Sequence, residues 1–322
     1  MEYLRCSRRK KVGCARSTSP SCWIRQSSAS PRRAADRSQI PLARAAHALE
    51  VPRRDVPMHL VICAKQIPDP ETPPSAFKID SNAVVPAAGI SPVLSPFDAQ
   101  AAEAALRLKE SAGDTKVTVI SMGKESAQAA IKQVLAMGAD EGVLLNDDAF
   151  EGGDSYTTAK VLAAAIRKLG DVDAVFCGRQ AADWDMGQVG LGIAEDLGWP
   201  CAIVAKDVQL DGSALVVQRV LTDGFETVKE PLPAVVTVSN ELGDPRYPKL
   251  QQIMQAAKKT VTTWGTGDLG LDASGVGAAG SKLKLVGLAQ PQSGGAVQII
   301  EGETPEEQAQ GLVQALRDAR II

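Results

Sequence analysis

Short apolar runs alternate along this chain with longer amphipathic stretches. From Met58 onward, the apolar runs predict strands at 59–64, 117–121, 143–145 and 173–177. Between and after them, apolar residues at helical spacing predict helices at 96–109, 123–137, 154–169 and 187–197. Strands that alternate with helices in this order are typical of a three-layer α/β domain with a mostly parallel sheet.

After residue 200 the pattern changes to strands joined by turn dipeptides. Asp211-Gly212 and Asp223-Gly224 favour tight turns, and they separate predicted strands at 202–204, 214–220, 226–228 and 234–238. Helices are predicted at 250–258 and 305–317, whereas the Gly- and Asp-rich stretch at 265–282 lacks periodicity and indicates an extended arm that wraps a partner. We therefore expect three segments: a basic extension at 1–57, the α/β domain at 58–260, and a C-terminal arm with a terminal helix at 261–322.

The predicted extension differs from the rest of the chain in charge. Residues 1–57 carry 13 Lys and Arg against 4 acids, although the whole chain has a net charge of −3. Such a segment is typical of a transit peptide, of a basic arm that contacts nucleic acid, or of a reading frame assigned too far upstream of a start at Met58. We favour the last interpretation, under which the segment is unfolded and functionless and no nucleic acid is bound.

Cysteine, histidine and apolar-run content exclude several kinds of site. The six Cys form no CxxC motif and the chain has two His, so we expect neither a metal site nor a Ser-His-Asp arrangement. Cysteines within the apolar runs of the domain are expected to be small buried hydrophobes in a reducing cytoplasm. No apolar run approaches the roughly 18 residues that a transmembrane helix needs, so we expect a cytoplasmic protein that does not insert into a membrane.

Three loops at predicted strand ends are candidates for a nucleotide site, because helix N-termini there present free backbone N–H groups. Their sequences are CAKQIPD at 63–69, SMG at 121–123 and GRQAADWDMGQVG at 178–190. The third loop offers Arg179 to a phosphate and Asp183 and Asp185 to a ribose or adenine, and the alternative is a solvated loop with ordinary turn glycines. Neither a dinucleotide-fold fingerprint nor a P-loop is present. No base or nucleophile accompanies the two acids, so we expect no catalytic residue.

Five ordered motifs and one long block resemble the beta subunit of electron transfer flavoproteins and the related nitrogen-fixation electron-transfer proteins. The motifs are VICAKQIPD at 61–69, SPFDAQAAEAALRLKE at 95–110, SMGKE at 121–125, LAMGAD at 135–140 and GRQAADWDMGQVG at 178–190, and the block spans 219–259. The resemblance implies a fold of the adenine nucleotide alpha hydrolase type and a heterodimer that shares FAD with an alpha subunit. It also implies a carrier that accepts electrons from acyl-CoA or other flavin dehydrogenases, or from NADH, and passes them to a quinone oxidoreductase or another acceptor.

The same resemblance implies that the strand-end loops hold AMP or a second FAD. The implied cofactor-binding residues are Cys63, Ala64, Ser95, Pro96, Phe97, Asp98, Met122, Gly123, Gly178, Arg179, Gln180, Ala181, Ala182, Asp183, Asp185, Gly187, Gln188 and Val189. The sequence DAFEGGDSYTTAK at 148–160 is closer to the electron-bifurcating branch, which holds FAD. Ala182, the Gly-rich stretch at 272–281 and the basic extension depart from the family pattern.

A segment after the last predicted strand of the domain resembles the family's recognition loop for dehydrogenases. It implies the docking residues Leu242, Pro245, Arg246 and Tyr247. Leu242 is expected to be an exposed anchor that inserts into the partner and contributes roughly 1.5–3 kcal/mol. The alternative is a Leu buried under its own loop.

Two other functional classes are alternatives to an electron carrier. An enzyme that activates substrates with ATP predicts an SGGxDS-type loop after the first strand, and the sequence CAKQIPD lacks it. A stand-alone adenine-nucleotide sensor would need no alpha chain, and the predicted arm and recognition loop disfavour it.

Overall fold

A mostly parallel sheet between two layers of helices forms the body of the protein. The computed structural model describes residues 57–80, 83–87, 89–289 and 297–322, so the predicted basic extension lies outside the described residues except for Pro57. The strands are β1 (Met58–Cys63), β2 (Gln66–Ile67), β3 (Phe77–Asp80), β4 (Ala83–Pro86), β5 (Val93–Leu94), β6 (Thr115–Met122), β7 (Glu141–Leu145), β8 (Ala174–Gly178), β9 (Cys201–Asp211), β10 (Ala214–Leu221), β11 (Gly224–Pro231), β12 (Ala234–Val238) and β13 (Val261–Trp264). The helices are α1 (Pro96–Ala112), α2 (Gln128–Met137), α3 (Ser155–Leu169), α4 (Val189–Leu197), α5 (Leu250–Lys258), α6 (Thr266–Leu269), α7 (Gly277–Gly280) and α8 (Pro305–Asp318).

Nine strands of the described chain form the main sheet, in the order β11-β10-β9-β12-β8-β1-β6-β7-β13. Neighbouring strands from β9 to β13 in this order are parallel, whereas β9, β10 and β11 pair antiparallel. β1 lies inside the sheet, between β8 and β6. Its residues Leu60, Val61 and Ile62 are fully buried, as expected of a strand covered on both faces.

Each face of the sheet is covered by helices. Leu106 of α1 and Ile131 of α2 pack in one apolar cluster, to which α5 contributes Ala256. Ile166 of α3 and Ile193 of α4 pack in a second cluster on the other face. The predicted three-layer α/β class is therefore confirmed. No helix among the described residues is long and apolar enough to span a membrane.

The strand order reverses direction at β1. The chain runs from β1 through α1 to β6 and β7 on one side, and then crosses through α3 to β8 on the other side of β1. In open parallel sheets, ligands bind at the carboxyl ends of the strands where this reversal occurs. The crevice between the ends of β1 and β8 is therefore the first place to look for a site.

The compact domain extends beyond the boundary predicted at residue 260. Val261–Trp264 forms β13, which pairs with β7 as the edge strand of the main sheet. Val276 is fully buried in the cluster that contains α3, and the Ala278 amide donates to the Glu151 carbonyl over 2.8 Å. The first part of the predicted C-terminal segment 261–322, including the stretch 265–282 that was expected to be extended, is thus folded against the domain. Its Gly and Ala residues allow this close packing.

Asp154 fastens the end of this folded stretch to the start of α3. Its carboxylate accepts hydrogen bonds from the backbone N–H of Thr157 at 3.0 Å, of Lys282 at 2.6 Å and of Leu283 at 2.9 Å. Burial raises the pKa of this carboxyl, but the hydrogen bonds outweigh burial and lower the pKa to about 2. The same side chain is therefore a helix N-cap and an anchor for the chain that follows the domain.

Replacing Asp154 with Ala should release residues 281–283 and destabilise the domain by about 1–2 kcal/mol, since an N-cap and two further acceptor contacts are lost. Hydrogen exchange measured by mass spectrometry should show faster exchange at 281–283. Because folding lowers the pKa of Asp154, its contribution is present above pH about 4 and is lost as the pH falls toward about 2. Asp148→Ala, which removes an exposed acid of the same loop, is the control; equal exchange in both variants would contradict the anchor.

Candidate functional site

Three predicted segments meet at the carboxyl edge of the sheet. Cys63 at the end of β1 lies beside Cys177 near the end of β8, and both are buried. The N-terminus of α1 lies next to these strand ends, and the Ser95 amide donates to the Lys65 carbonyl over 2.9 Å. The residues predicted after β1, at the start of α1 and after β8 are therefore brought together.

A buried carboxylate links these three segments. One oxygen of Asp98 accepts from the Lys65 amide over 2.8 Å, and the other accepts from the Gly178 amide over 3.0 Å. Burial raises the pKa of Asp98 to about 7, although both amide hydrogen bonds act in the opposite direction. Asp98 was predicted as a cofactor-binding residue; both of its oxygens contact backbone amides of the protein itself.

Gly178 permits this contact because it has no side chain. A Cβ at this position would lie 2.6 Å from Asp98 Oδ1 and 2.8 Å from the backbone carbonyl carbon of Phe97. Neither the helix start nor the strand end has room for a methyl group. The close approach of α1 to β8 thus depends on glycine.

Two cationic side chains lie at the rim of this crevice. The Arg179 guanidinium lies 5.3 Å from the centroid of the Phe97 ring, and its Nε donates to Gln180 Oε1 over 3.2 Å. Lys65 Nζ forms an ion pair with Asp183 at 2.7 Å, which joins the loops after β1 and β8.

The loop after β8 is held in a defined turn by its own hydrogen bonds. The Asp185 amide donates to the Ala181 carbonyl over 2.9 Å, and Gln180 Nε2 donates to Asp185 Oδ1 over 2.9 Å. Asp185 adopts a φ of +51°, a left-handed conformation that Asp tolerates better than most residues. Ala182 lies in this turn, Gly187 follows it with a φ of +62°, Gln188 precedes α4, and Val189 packs against the core.

A second part of the edge lies at the end of β6. Met122 packs against the core, and the Gly123 amide donates to the Leu145 carbonyl over 3.0 Å. The hydroxyls of Ser95 and Ser121 are buried and have no hydrogen-bond partner within the described protein. Buried hydroxyls are nearly always paired, so these two oxygens are exceptions within the described part of the chain. The edge therefore carries two cations, two carboxylates and two unpaired hydroxyls, which are the kinds of donor and acceptor that a phosphate and a sugar need.

Several residues at this edge are absent from the predicted cofactor-binding set. Lys65 and Ser121 belong to loops that the strand-end rule selects, and Lys65 could have been found as the cation next to a strand end. Ser239, the first residue after β12, is fully buried, and its hydroxyl lies 3.4 Å from an Arg179 nitrogen. No motif marks it.

Cys177 and Cys201 offer no reactive thiolate. A hydrogen bond with Cys63 and burial raise the pKa of the Cys177 thiol well above its ordinary value. Burial also raises the pKa of Cys201 to about 11. A thiol must ionise to act as a nucleophile, so their role at neutral pH is packing.

The predicted docking residues differ widely in exposure. Leu242, expected to be an exposed anchor, is only 8% exposed, because the 3₁₀ turn Asn240–Leu242 directs it into the core beside α1. The prediction of an exposed Leu242 is wrong, and the alternative of a Leu under its own loop describes it. Pro245 is partly buried, whereas Tyr247 is 96% exposed.

An ion-pair network fixes the segment between these residues. The Arg246 guanidinium contacts Glu103 at 2.7 Å and Glu110 at 2.5 Å, both on α1. Hydrogen bonds that the guanidinium donates to both carboxylates raise the pKa of Arg246, and burial opposes them less strongly. The predicted docking residue Arg246 is therefore engaged within its own chain.

The exposed apolar residues of this region lie on one face of α5. Leu250 is 73% exposed, Ile253 and Met254 are also exposed, and their spacing places all three on one side of the helix. With Tyr247 they form what we call the α5 apolar face. The sequence prediction of a helix at 250–258 did not identify this face. The apolar residues are visible in the sequence, but only the structure shows that Ala256 is the buried residue of the helix.

Polar contacts at its end hold α5 in place. Lys132 Nζ of α2 donates to the carbonyls of Ala256 and Ala257, each at 3.1 Å, and to that of Lys259. Lys259 Nζ in turn donates to the Ala139 carbonyl over 2.7 Å. The α5 apolar face is thus presented on a fixed helix.

Comparisons with known proteins match most of the chain. The electron transfer flavoprotein domain matches residues 84–269. The chain is 40% identical over 267 residues to the electron transfer flavoprotein subunit beta of Thermoanaerobacterium thermosaccharolyticum, and 38% identical over 266 residues to the caffeyl-CoA reductase-Etf complex subunit CarD of Acetobacterium woodii. Both alignments cover 82% of this chain and 100% of the relative. Protein FixA of Azorhizobium caulinodans is 36% identical over 70% of this chain and 81% of its own length.

Gly178→Ala should separate α1 from β8 and destabilise the domain. The added methyl group meets backbone atoms that cannot move aside, so we expect a loss of roughly 1–3 kcal/mol in the free energy of unfolding. Chemical denaturation measures this loss. Gly224→Ala is the control, because its Cβ would meet no atom within 4 Å. Equal stability of the two variants would refute the close approach.

Proposed function

This chain belongs to the electron transfer flavoprotein family, in its beta-subunit branch, and from that premise we propose that it is one half of a cytoplasmic, heterodimeric electron carrier. The observation that carries the proposal is the meeting of the loops after β1 and β8 with the start of α1 at the strand-order reversal. FAD supplies the redox chemistry when bound. The chain's own task is to bind nucleotide, to hold an alpha subunit and to dock redox partners.

We assign the nucleotide to the crevice between β1 and β8. Arg179 and Lys65 would contact its phosphate, since both cations lie at the rim and one is already paired with a carboxylate. Asp183 and Asp185 would accept hydrogen bonds from ribose or adenine. The hydroxyls of Ser95, at the start of α1, and of Ser121, near the end of β6, are unpaired within the described protein and would contact the ligand.

The C-terminal part of the chain is the proposed contact with the alpha subunit. Apolar side chains there stay exposed: Val286 is 93% exposed, and Leu283, Ile299 and Leu312 are also exposed. α8 has a complete capping box between Thr304 and Glu307, yet none of its residues is buried. A helix with strong local signals and no covered face is expected to pack against another chain.

The α5 apolar face is the proposed docking site for flavin dehydrogenases. It takes over the role that the sequence assigned to Leu242, because an anchor must be exposed before it can insert into a partner. The hydrogen bonds of Lys132 to the end of α5 and the ion pairs of Arg246 hold the helix in a constant orientation. A fixed orientation reduces the entropy that is lost when a partner binds. The relative from the caffeyl-CoA reductase-Etf complex supports a reductase or dehydrogenase partner.

Co-expression of the full chain with an alpha subunit from the same source tests the proposed function. Flavin and AMP are counted per purified heterodimer after denaturation. One FAD with one AMP indicates a single-flavin shuttle, and two FAD without AMP indicates the electron-bifurcating branch. A chain that neither associates with the alpha subunit nor yields flavin would overturn the proposal, and nucleotide bound without an alpha partner would favour the sensor.

Leu250→Glu should weaken docking of a flavin dehydrogenase roughly tenfold to hundredfold, since burial of one Leu contributes roughly 1.5–3 kcal/mol. The measurement is the concentration of heterodimer that half-saturates dehydrogenase-dependent reduction. Flavin content and unfolding should stay unchanged, because the side chain is exposed. Leu221→Glu, at an exposed Leu of β10, is the matched control. An equal effect of both variants would contradict docking through α5.

A further inference from the structure

We propose that Asp98 is a positioning residue that couples nucleotide binding at the β1–β8 crevice to the uptake of one proton. This inference rests on the proposed nucleotide site and extends it. Asp98 joins the three segments that form the site, and its carboxylate contacts two of them directly through backbone amides. A change in its charge therefore acts on both loops at once.

The carboxylate is enclosed without a cation of its own. Within the described ranges, the ammonium of Lys65 hydrogen-bonds to Asp183, and the guanidinium of Arg179 lies over the Phe97 ring. The site thus holds a buried negative charge that two neutral donors satisfy.

The charged and titratable groups around Asp98 come from the strands and loops packed against α1. They are Lys65 after β1, Asp183 after β8, and the thiols of Cys63 and Cys177. Lys65 favours the ionised form, whereas Asp183 and burial favour the protonated form. Their balance leaves the carboxyl with a pKa of about 7, so that a modest added charge changes its protonation at neutral pH.

A bound nucleotide adds that charge. Its phosphate is an anion at the edge where the carboxylate is buried, and a nearby like charge favours the protonated acid. The proton moves from solvent to one carboxylate oxygen, and no bond to the nucleotide forms or breaks. The protonated acid accepts hydrogen bonds less strongly, so the Lys65 or Gly178 amide becomes free to donate to the ligand.

The sign of the pH dependence follows from this coupling. Below pH about 7 the acid is already protonated in the free protein, and affinity is at its highest. Above it, binding must take up a proton, so affinity falls by up to about tenfold per pH unit until the pKa of the complex is passed. The second pKa of a phosphate monoester is about 6, so the ligand's own titration contributes little in this range.

Calorimetric titration of the heterodimer, stripped of exchangeable nucleotide, tests the coupling. AMP and FAD are titrated in turn at pH 6.5, 7.5 and 8.5, in pairs of buffers with different ionisation enthalpies. The tighter ligand should bind with uptake of up to one proton above pH 7, and its affinity should fall with pH. Asp98→Asn should bind with neither effect, whereas Asp211→Asn, in the distant β9–β10 hairpin, should retain both.

The outcomes separate this inference from the nucleotide site itself. Nucleotide binding without proton uptake in the unmodified protein would overturn the coupling and leave the site intact. Binding of neither ligand at any pH would overturn the site together with the coupling. Asp98→Asn tests the assignment to one residue; proton uptake that persists in a folded Asp98→Asn variant would also overturn it.

Discussion

Two hydrogen bonds to the Asp98 carboxylate hold the functional edge of this protein together. They connect the loop after β1, the strand end of β8 and the first turn of α1, which come from distant parts of the sequence. The strand-order reversal at β1 creates the crevice, and Gly178 lets the helix approach it. The remaining features of the edge, including the Lys65–Asp183 pair and the ordered turn after β8, are placed around this connection.

Much of the architecture could be predicted because its signals are local. The apolar run at 59–64 and the helical spacing at 154–169 predict β1 and α3 directly, and the structure agrees. The β3–β4 hairpin was missed because each strand has only four residues, and the alternation in Phe77–Asp80 is too short to predict a strand by itself. β13 was assigned to the arm because four residues at a sheet edge, exposed at Thr262 and Thr263, resemble a loop in sequence.

The site was predicted less evenly, for a physical reason. The strand-end rule located all three loops, yet it could not tell ligand contacts from supporting residues, because that distinction depends on where each side chain points. Asp98 and Leu242 show this limit: both lie in recognisable motifs, and both are buried within the chain. Exposure is a tertiary property, so the α5 apolar face emerged only once the helix was seen to bury Ala256 alone.

Buried and exposed apolar residues are found in different parts of the described chain. The sheet and its inner helices form a rigid frame for the crevice, whereas α5 and α8 present apolar side chains to solvent at fixed and terminal positions. Such surfaces are unusual for a protein that acts alone. They support a chain that holds one nucleotide and leaves most of its redox function to contacts with others.

Hydrogen exchange of the heterodimer with and without bound nucleotide tests the central claim most directly. The account predicts that nucleotide slows exchange in residues 64–67 and 179–189, at the loops after β1 and β8, and leaves the β10–β11 hairpin unchanged. Protection confined to other parts of the chain, or none at these loops when nucleotide is bound, would contradict the assignment of the site.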